Sequence, residues 1–186
     1  TSIKDQLSVY SNVISAHPHS ITSITKLLTL GNYEQPDKIG DGSIIQLANS
    51  AGFETIWLSN QRPIGVYESL VTKIALSSSR SNFLTTIQGV HNKVMDGALL
   101  PELETILANN SSSKKLIIIH LMGTHVNYVN RYPEDFNTFT DTPLSNYKSN
   151  KIFKTINHYD NAVLYTDYVV SQIIQKIKTL NKKSFV

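Results

Sequence analysis

His125 ends the run Lys114-Lys115-Leu116-Ile117-Ile118-Ile119-His120-Leu121-Met122-Gly123-Thr124-His125, and its residue type points to chemistry there. An imidazole can ligate a metal, contact a phosphate or move a proton near neutral pH. A polar loop residue without a role is the competing reading of the same position. Asn60 and Gln61 lie in a second polar stretch, Ser59-Asn60-Gln61-Arg62-Pro63, which follows another apolar run. His17 and His19 could chelate a metal, but two histidines without a third ligand make a weak site. His120, inside the apolar run, reads as a structural histidine with a hydrogen-bonded ring. Ser20, Thr22 and Ser23 offer hydroxyls where a helical pattern begins, and their ordinary work there is capping. Cysteine is absent, which removes disulfides, thiolate metal sites and a Cys nucleophile without fixing a compartment.

The elements that position these residues follow from periodicity. A short β-branched run bounded by polar residues and Gly predicts that Leu116–Leu121 is a strand buried on both faces. Phe53–Leu58 predicts a second, parallel strand, and ligands of such sheets sit beyond the strands' carboxyl ends. Leu7 to Ile14 alternates loosely, as a strand does, and Phe83 to Ile87 suits a short one. Helical spacing covers Ile21 to Leu30; Asp41-Gly42-Ser43 opens another helix that Gly52 stops. Further helices are expected around Tyr67 to Leu76 and over Glu102 to Ala108, with Pro101 as its first residue. Val126 to Lys151 is long and irregular, the usual form of a binding loop. After it Ile156, Tyr159, Val163, Val170, Ile174 and Ile177 mark one stripe of a long helix. Strand and helix alternate, so the fold class expected is α/β, a largely parallel sheet covered by helices on both faces.

A chain of 186 residues is long enough for one domain that buries about 70% of its unfolded surface. Lys and Arg exceed Asp and Glu by three, scattered and not interleaved with aromatics, which argues against nucleic acid as a partner. No apolar run approaches the roughly 18 residues of a membrane span, so membrane attachment would come through segments absent from this chain. The chain opens in Thr1-Ser2-Ile3-Lys4 and closes in Lys182-Lys183-Ser184-Phe185-Val186, which reads as turn residues and the start of another strand. Both ends therefore read as cuts in something longer.

Lys115 to His125, followed by Arg131-Tyr132-Pro133-Glu134, resembles the mid-domain signature of bacterial phosphoethanolamine transferases, in the sulfatase branch of the alkaline-phosphatase superfamily. Asn12-Val13-Ile14-Ser15, Ile56-Trp57-Leu58-Ser59-Asn60-Gln61 and Tyr159-Asp160-Asn161-Ala162-Val163-Leu164-Tyr165-Thr166-Asp167 match the same family in order. The likeness covers nearly the whole chain and is strongest to the enzymes that decorate lipopolysaccharide core. It implies a single sulfatase-like catalytic domain over 1–186, α/β/α and incomplete in this chain, at the periplasmic face of the bacterial inner membrane. It implies a phosphatidylethanolamine donor, a lipopolysaccharide acceptor and zinc. The family's threonine nucleophile stands seven residues after the Asn-Val pair, and the same count from Val13 gives Ser20, a departure in residue type. By the same resemblance Ser20 is also a metal ligand. The remaining ligands, a glutamate before Thr1 and an Asp-His pair after Val186, lie outside this chain. His125 aligns with a histidine that touches the transferred phosphate or a second zinc, and Asn60 and Gln61 with a loop lining the substrate pocket. Asp160 and Asp167 read as solvent-facing or capping residues in spite of their motif.

The chemistry of Ser20 is consistent with that role. A hydroxyl becomes a useful nucleophile when a metal or base takes its proton, and a helix start adds N–H donors for a phosphoryl group. Ser20 and His125 are accordingly expected at one pocket rim. A sulfatase would carry Cys or Ser in a Cys/Ser-x-Pro/Ala-x-Arg context, which Ser20-Ile21-Thr22-Ser23-Ile24 lacks. A sulfatase, phosphoglycerol transferase or phosphohydrolase is thus the second reading. The third is a non-catalytic fragment that binds anionic lipid or a protein partner.

Overall fold

A strand built from Thr, Ile, Trp, Leu and Ser that buries five of its six residues belongs inside a sheet, and Glu54–Ser59 (β1) has that pattern. The computed structural model of the chain describes residues 8, 10–15, 17–32, 34–63, 69–85, 94–109, 112, 114–141, 146, 149–180, 184 and 186. Within them β1 is the middle strand of a three-stranded sheet, between Arg80–Phe83 (β2) and Lys115–His120 (β3). Glu54 N–H donates to Lys114 O and Asn60 N–H to His120 O, both at 2.9 Å. Partner numbers rise together, so β1 and β3 run parallel, as predicted for these two segments. The architecture is α/β, a parallel sheet flanked by helices.

The fully buried strand is β1 and not β3, whose six residues are all half-buried. A β-branched run identifies a strand but not its rank in the sheet order, and β3 stands at the end of that order. The expected strand over Leu7–Ile14 does not form at its described residues, 8 and 10–14, and Leu7 and Val9 lie outside the described residues. The strand placed at Phe83–Ile87 runs instead from Arg80, inside the stretch read as loop; Ile87 and Tyr67 lie outside the described residues.

The chain divides into two compact units, one of residues 1–57, 63–82 and 111–118 and one of 58–62, 83–110 and 119–186. In the first, Ser20–Leu28 (α1) packs on Leu70–Leu76 (α3). Ile44–Ser50 (α2) starts with a reciprocal capping box. Gln46 N–H donates to Ser43 Oγ at 3.4 Å and Ser43 N–H to Gln46 Oε1 at 2.9 Å. Gly52, at φ +79°, ends the helix as the sequence indicates. Glu54 ties the starts of the strands together, 2.8 Å from Lys115 Nζ and 3.7 Å from Arg80 Nη1.

In the second unit Leu99–Ala108 (α4) packs on the long helix Asn150–Lys178 (α5), and Glu104 pairs with Lys176. Helix α4 begins two residues before Pro101, which the first turn tolerates because its N–H would lack an intrahelical partner anyway. The buried stripe of α5 is Asn161, Ala162, Tyr165, Val169, Ile173 and Ile174, while Tyr159 and Val163 are exposed. Ile174 lies on the expected face; most of the expected stripe is displaced by one to two positions. Hydrophobicity alone misplaces it because a polar residue, Asn161, sits at the centre. Its Oδ1 accepts from Thr138 N (2.9 Å) and Phe139 N (2.8 Å), and its Nδ2 donates to Phe139 O and Asn137 Oδ1, both at 3.1 Å. The irregular segment before α5 is held by that clasp. Its described residues include the 3-10 turns Tyr128–Asn130 and Glu134–Phe136.

Candidate active site

In the second unit the carboxyl ends of β1 and β3 carry polar loops that are bonded to each other. Gln61 Nε2 donates to Leu121 O at 2.8 Å, and Ser59 Oγ stands 3.2 Å from His120 Nδ1. Both loops are fastened by Asp96, whose residue is 4% exposed. Its Oδ1 accepts from Asn60 Nδ2 (2.7 Å) and Met122 N (2.9 Å), and its Oδ2 from Gly123 N (2.7 Å). A buried carboxylate is costly unless hydrogen-bonded, and three donors satisfy this one. Asp96 opens a 3-10 turn, Asp96–Ala98, directly before α4. Gly97 N–H donates to Tyr165 Oη at 3.0 Å, and a Cβ at Gly97 would lie 2.5 Å from that oxygen. The turn therefore needs glycine to approach α5.

From Gly123, in the left-handed region at φ +54°, the backbone turns, and His125 N–H donates to Met122 O at 3.3 Å. Arg131 reaches back across the same turn. Its Nε donates to His125 O and its Nη2 to Val126 O, both at 3.1 Å. The His125 ring is exposed. Burial lowers the His120 pKa below its ordinary value, and the nearby Asp96 charge opposes that shift. Burial likewise pulls the Arg131 guanidinium down, again against Asp96. Burial raises the Tyr165 hydroxyl, the Gly97 N–H bond lowers it, and the charges of Asp96 and Tyr168 raise it further.

Ser20 belongs to the first unit. It is the first residue of α1, and the capping position is His19, whose carbonyl accepts from Ser23 N at 2.9 Å. The capping expected of Ser20, Thr22 and Ser23 is not made, since no side chain caps this helix. Ser23 Oγ instead meets Ser15 Oγ at 2.9 Å, and Ser15 Oγ donates to His17 O at 2.8 Å. Ser20 is exposed. The His17 and His19 rings are 5.6 Å apart. Among the described residues no three His, Cys, Asp or Glu side chains converge as a metal site, so those present do not by themselves hold a zinc ion. A groove of about 390 Å³ between α1 and α2 is lined by Leu27, Leu30, Ile44 and Leu47 and carries Asp41 as its one acidic side chain; it does not include Ser20.

Asn60, Gln61 and the loop ending at His125 thus come together, but not with the roles foreseen for all of them. Asn60 aligns with a pocket-lining loop, yet its side chain is fully buried and occupied by Asp96, by Val94 O at 3.0 Å and by Thr85 Oγ1 at 3.2 Å. Its part is to brace the loop. Gln61 is half-buried and tied to Leu121. His120 has the hydrogen-bonded ring expected of it. Asp167 is exposed and Asp160 half-buried, both inside α5 and away from its ends, so neither caps it. Sequence reasoning misses Asp96. Its one signal is an acidic residue between Val94-Met95 and Gly97, a turn-forming pattern. Arg131 is visible only as part of a motif.

The Sulfatase family model matches residues 1–186. The phosphoethanolamine transferase EptC of Escherichia coli K12 is 30% identical over 184 residues, 97% of this chain and 32% of that protein. The phosphoethanolamine transferase CptA of Salmonella typhimurium LT2 is 29% identical over 162 residues, 85% of this chain and 28% of its own length. Among solved structures, the C-terminal periplasmic domain of EcEptC from Escherichia coli in complex with Zn superposes with a TM-score of 0.86 at 28% identity. It covers 92% of this chain and 49% of that one. The corresponding domain of EptC from Campylobacter jejuni gives 0.75 at 25% identity, over 95% of this chain and 54% of that one. The chain spans about a third of these curated relatives and about half of these solved domains.

Proposed function

Because the chain belongs to the sulfatase family over its whole length, we propose that it is part of the catalytic domain of a phosphoethanolamine transferase acting on lipopolysaccharide. The observation that carries this reading is an uncapping, exposed Ser20 at the first position of α1, in a chain whose relatives are named phosphoethanolamine transferases. A hydroxyl absorbed in a cap would be a structural residue; this one is presented to solvent where helix N–H groups favour an anion.

In the proposed reaction Ser20 Oγ attacks the phosphorus of phosphatidylethanolamine. The Oγ–P bond forms, the P–O bond to diacylglycerol breaks, and the Ser20 proton ends on the diacylglycerol. A hydroxyl of lipopolysaccharide then attacks the same phosphorus, and its proton returns to Ser20 as the Oγ–P bond breaks. His125 is assigned a contact to the transferred phosphate, and Gln61 lies on the neighbouring loop. Zinc accompanies the EcEptC periplasmic domain in one structure. A stable zinc site wants about four ligands, of which this chain offers the Ser20 hydroxyl, so the others are assigned to the longer protein. The site of action proposed is the periplasmic face of the inner membrane, with the attachment outside this chain; no helix of the described residues is long and apolar enough to cross a membrane.

Transfer of phosphoethanolamine to lipopolysaccharide by the full-length protein, wild type against Ser20→Ala, tests the reading. Loss of transfer by about a thousandfold or more with an unchanged melting temperature is expected of a nucleophile; activity within a few fold of wild type would remove Ser20 from the mechanism.

A further inference from the structure

The loop from Leu121 to Arg131 is restrained on both sides of Thr124, by two charged residues to which neither composition nor periodicity assigned a role. On the near side Asp96 takes the N–H groups of Met122 and Gly123. On the far side Arg131 takes the carbonyls of His125 and Val126. Each restraint has its own anchor. Asp96 is held by Asn60 and by the turn whose Gly97 N–H is bonded to Tyr165 of α5. Arg131 is followed by Tyr132, 6% exposed, whose hydroxyl lies 2.6 Å from His158 Nδ1, also on α5. Residues 121–127 lie outside the strands and helices, and side chains hold the backbone of Met122, Gly123, His125 and Val126.

We infer that Asp96 and Arg131 are positioning residues that fix the backbone on which His125 is carried, and act on phosphoryl transfer through His125 without touching the substrate. The inference rests on the function proposed above. Its physical ground is preorganisation: an exposed ring on a loose loop samples many directions, and a displacement of about 1 Å at a reacting group can cost about a hundredfold in rate. Arginine suits the far side because its rigid planar fork aims separate N–H donors at two adjacent carbonyls, a fixed geometry that a lysine ammonium lacks.

Two readouts on the full-length protein test it, each with Arg131→Ala, Arg131→Lys, Asp96→Asn, His125→Ala and the double variant His125→Ala/Arg131→Ala. Transfer kinetics should show kcat about tenfold to a hundredfold lower in Arg131→Ala with KM for the donor nearly unchanged, and a smaller loss in Arg131→Lys. In the His125→Ala background, Arg131→Ala should cost less than about twofold more, because the two residues act as one unit. Equal losses in both backgrounds would overturn the inference. Amide hydrogen exchange at residues 122–126 should quicken in Arg131→Lys, and in Arg131→Ala and Asp96→Asn if these remain folded; unchanged exchange in Arg131→Lys, which conserves charge and length, would also overturn it. If exchange quickens as expected but the wild type transfers no phosphoethanolamine, the restraint stands and the proposed function falls.

Discussion

In the proposed reaction the Ser20 hydroxyl is what counts, not the side chain that bears it, because serine and threonine each offer one hydroxyl on Cβ. Ser20→Thr in the full-length protein is accordingly expected to keep transfer activity, in contrast to Ser20→Ala, in the same kinetic assay. His120 makes a prediction about pH. Its folded pKa lies below the ordinary 6.5 because burial disfavours the charged ring. The unfolded chain therefore binds the proton more readily, and this residue's contribution to stability is present above about pH 6.5 and lost as pH falls through the folded value. Melting temperatures of His120→Asn between about pH 7 and pH 5 should fall less steeply than those of the wild type; an unchanged slope would mean that His120 does not titrate in this window. His120 was legible in the sequence because an imidazole inside an apolar run is carried into the sheet with its neighbours, where its ring nitrogens need a partner. Asp96 was not, since its three donors come from segments 26 to 36 positions away.

Among the elements, the short turn Asp96–Ala98 and the helix α5 make the sharpest test of packing. Gly97→Ala places a methyl group 2.5 Å from the Tyr165 hydroxyl, and overpacking of that kind costs about 1–3 kcal/mol. Tyr165→Phe removes the oxygen in the way, so the double variant should be less destabilised than the sum of the single ones in urea unfolding. Strict additivity would show that the approach of Gly97 to Tyr165 is not tight. Asn161→Ala leaves the N–H groups of Thr138 and Phe139 without their acceptor and should cost about 2–4 kcal/mol by the same measurement. Tyr159→Ala, at an exposed position, should cost less than about 1 kcal/mol. Strands β1 and β3, the start and stop of α2, and α5 were readable because each rests on local signals: apolar runs, an Asp41-Gly42-Ser43 opening, a stop glycine, helical spacing. The rank of β3 in the sheet and the buried face of α5 were not, because both depend on what packs against them.

For the whole molecule, ordered motifs carried the family from Asn12 to Asp167, and the Sulfatase match over residues 1–186 bears that out. The division into two compact units had no counterpart in the sequence, because each unit is assembled from three separate stretches of chain. Since the described residues close no metal site, calorimetric titration of zinc into the 186-residue chain should show only weak binding; tight one-to-one binding lost on changing His17 and His19 would place the metal elsewhere. The proposed covalent step admits a more direct test. Full-length protein incubated with phosphatidylethanolamine and no acceptor, then digested and examined by mass spectrometry, should carry one phosphoethanolamine group on the peptide containing Ser20, and adding lipopolysaccharide should discharge it. A modified group on another residue, or transfer to lipopolysaccharide with Ser20 unmodified throughout, would contradict the account.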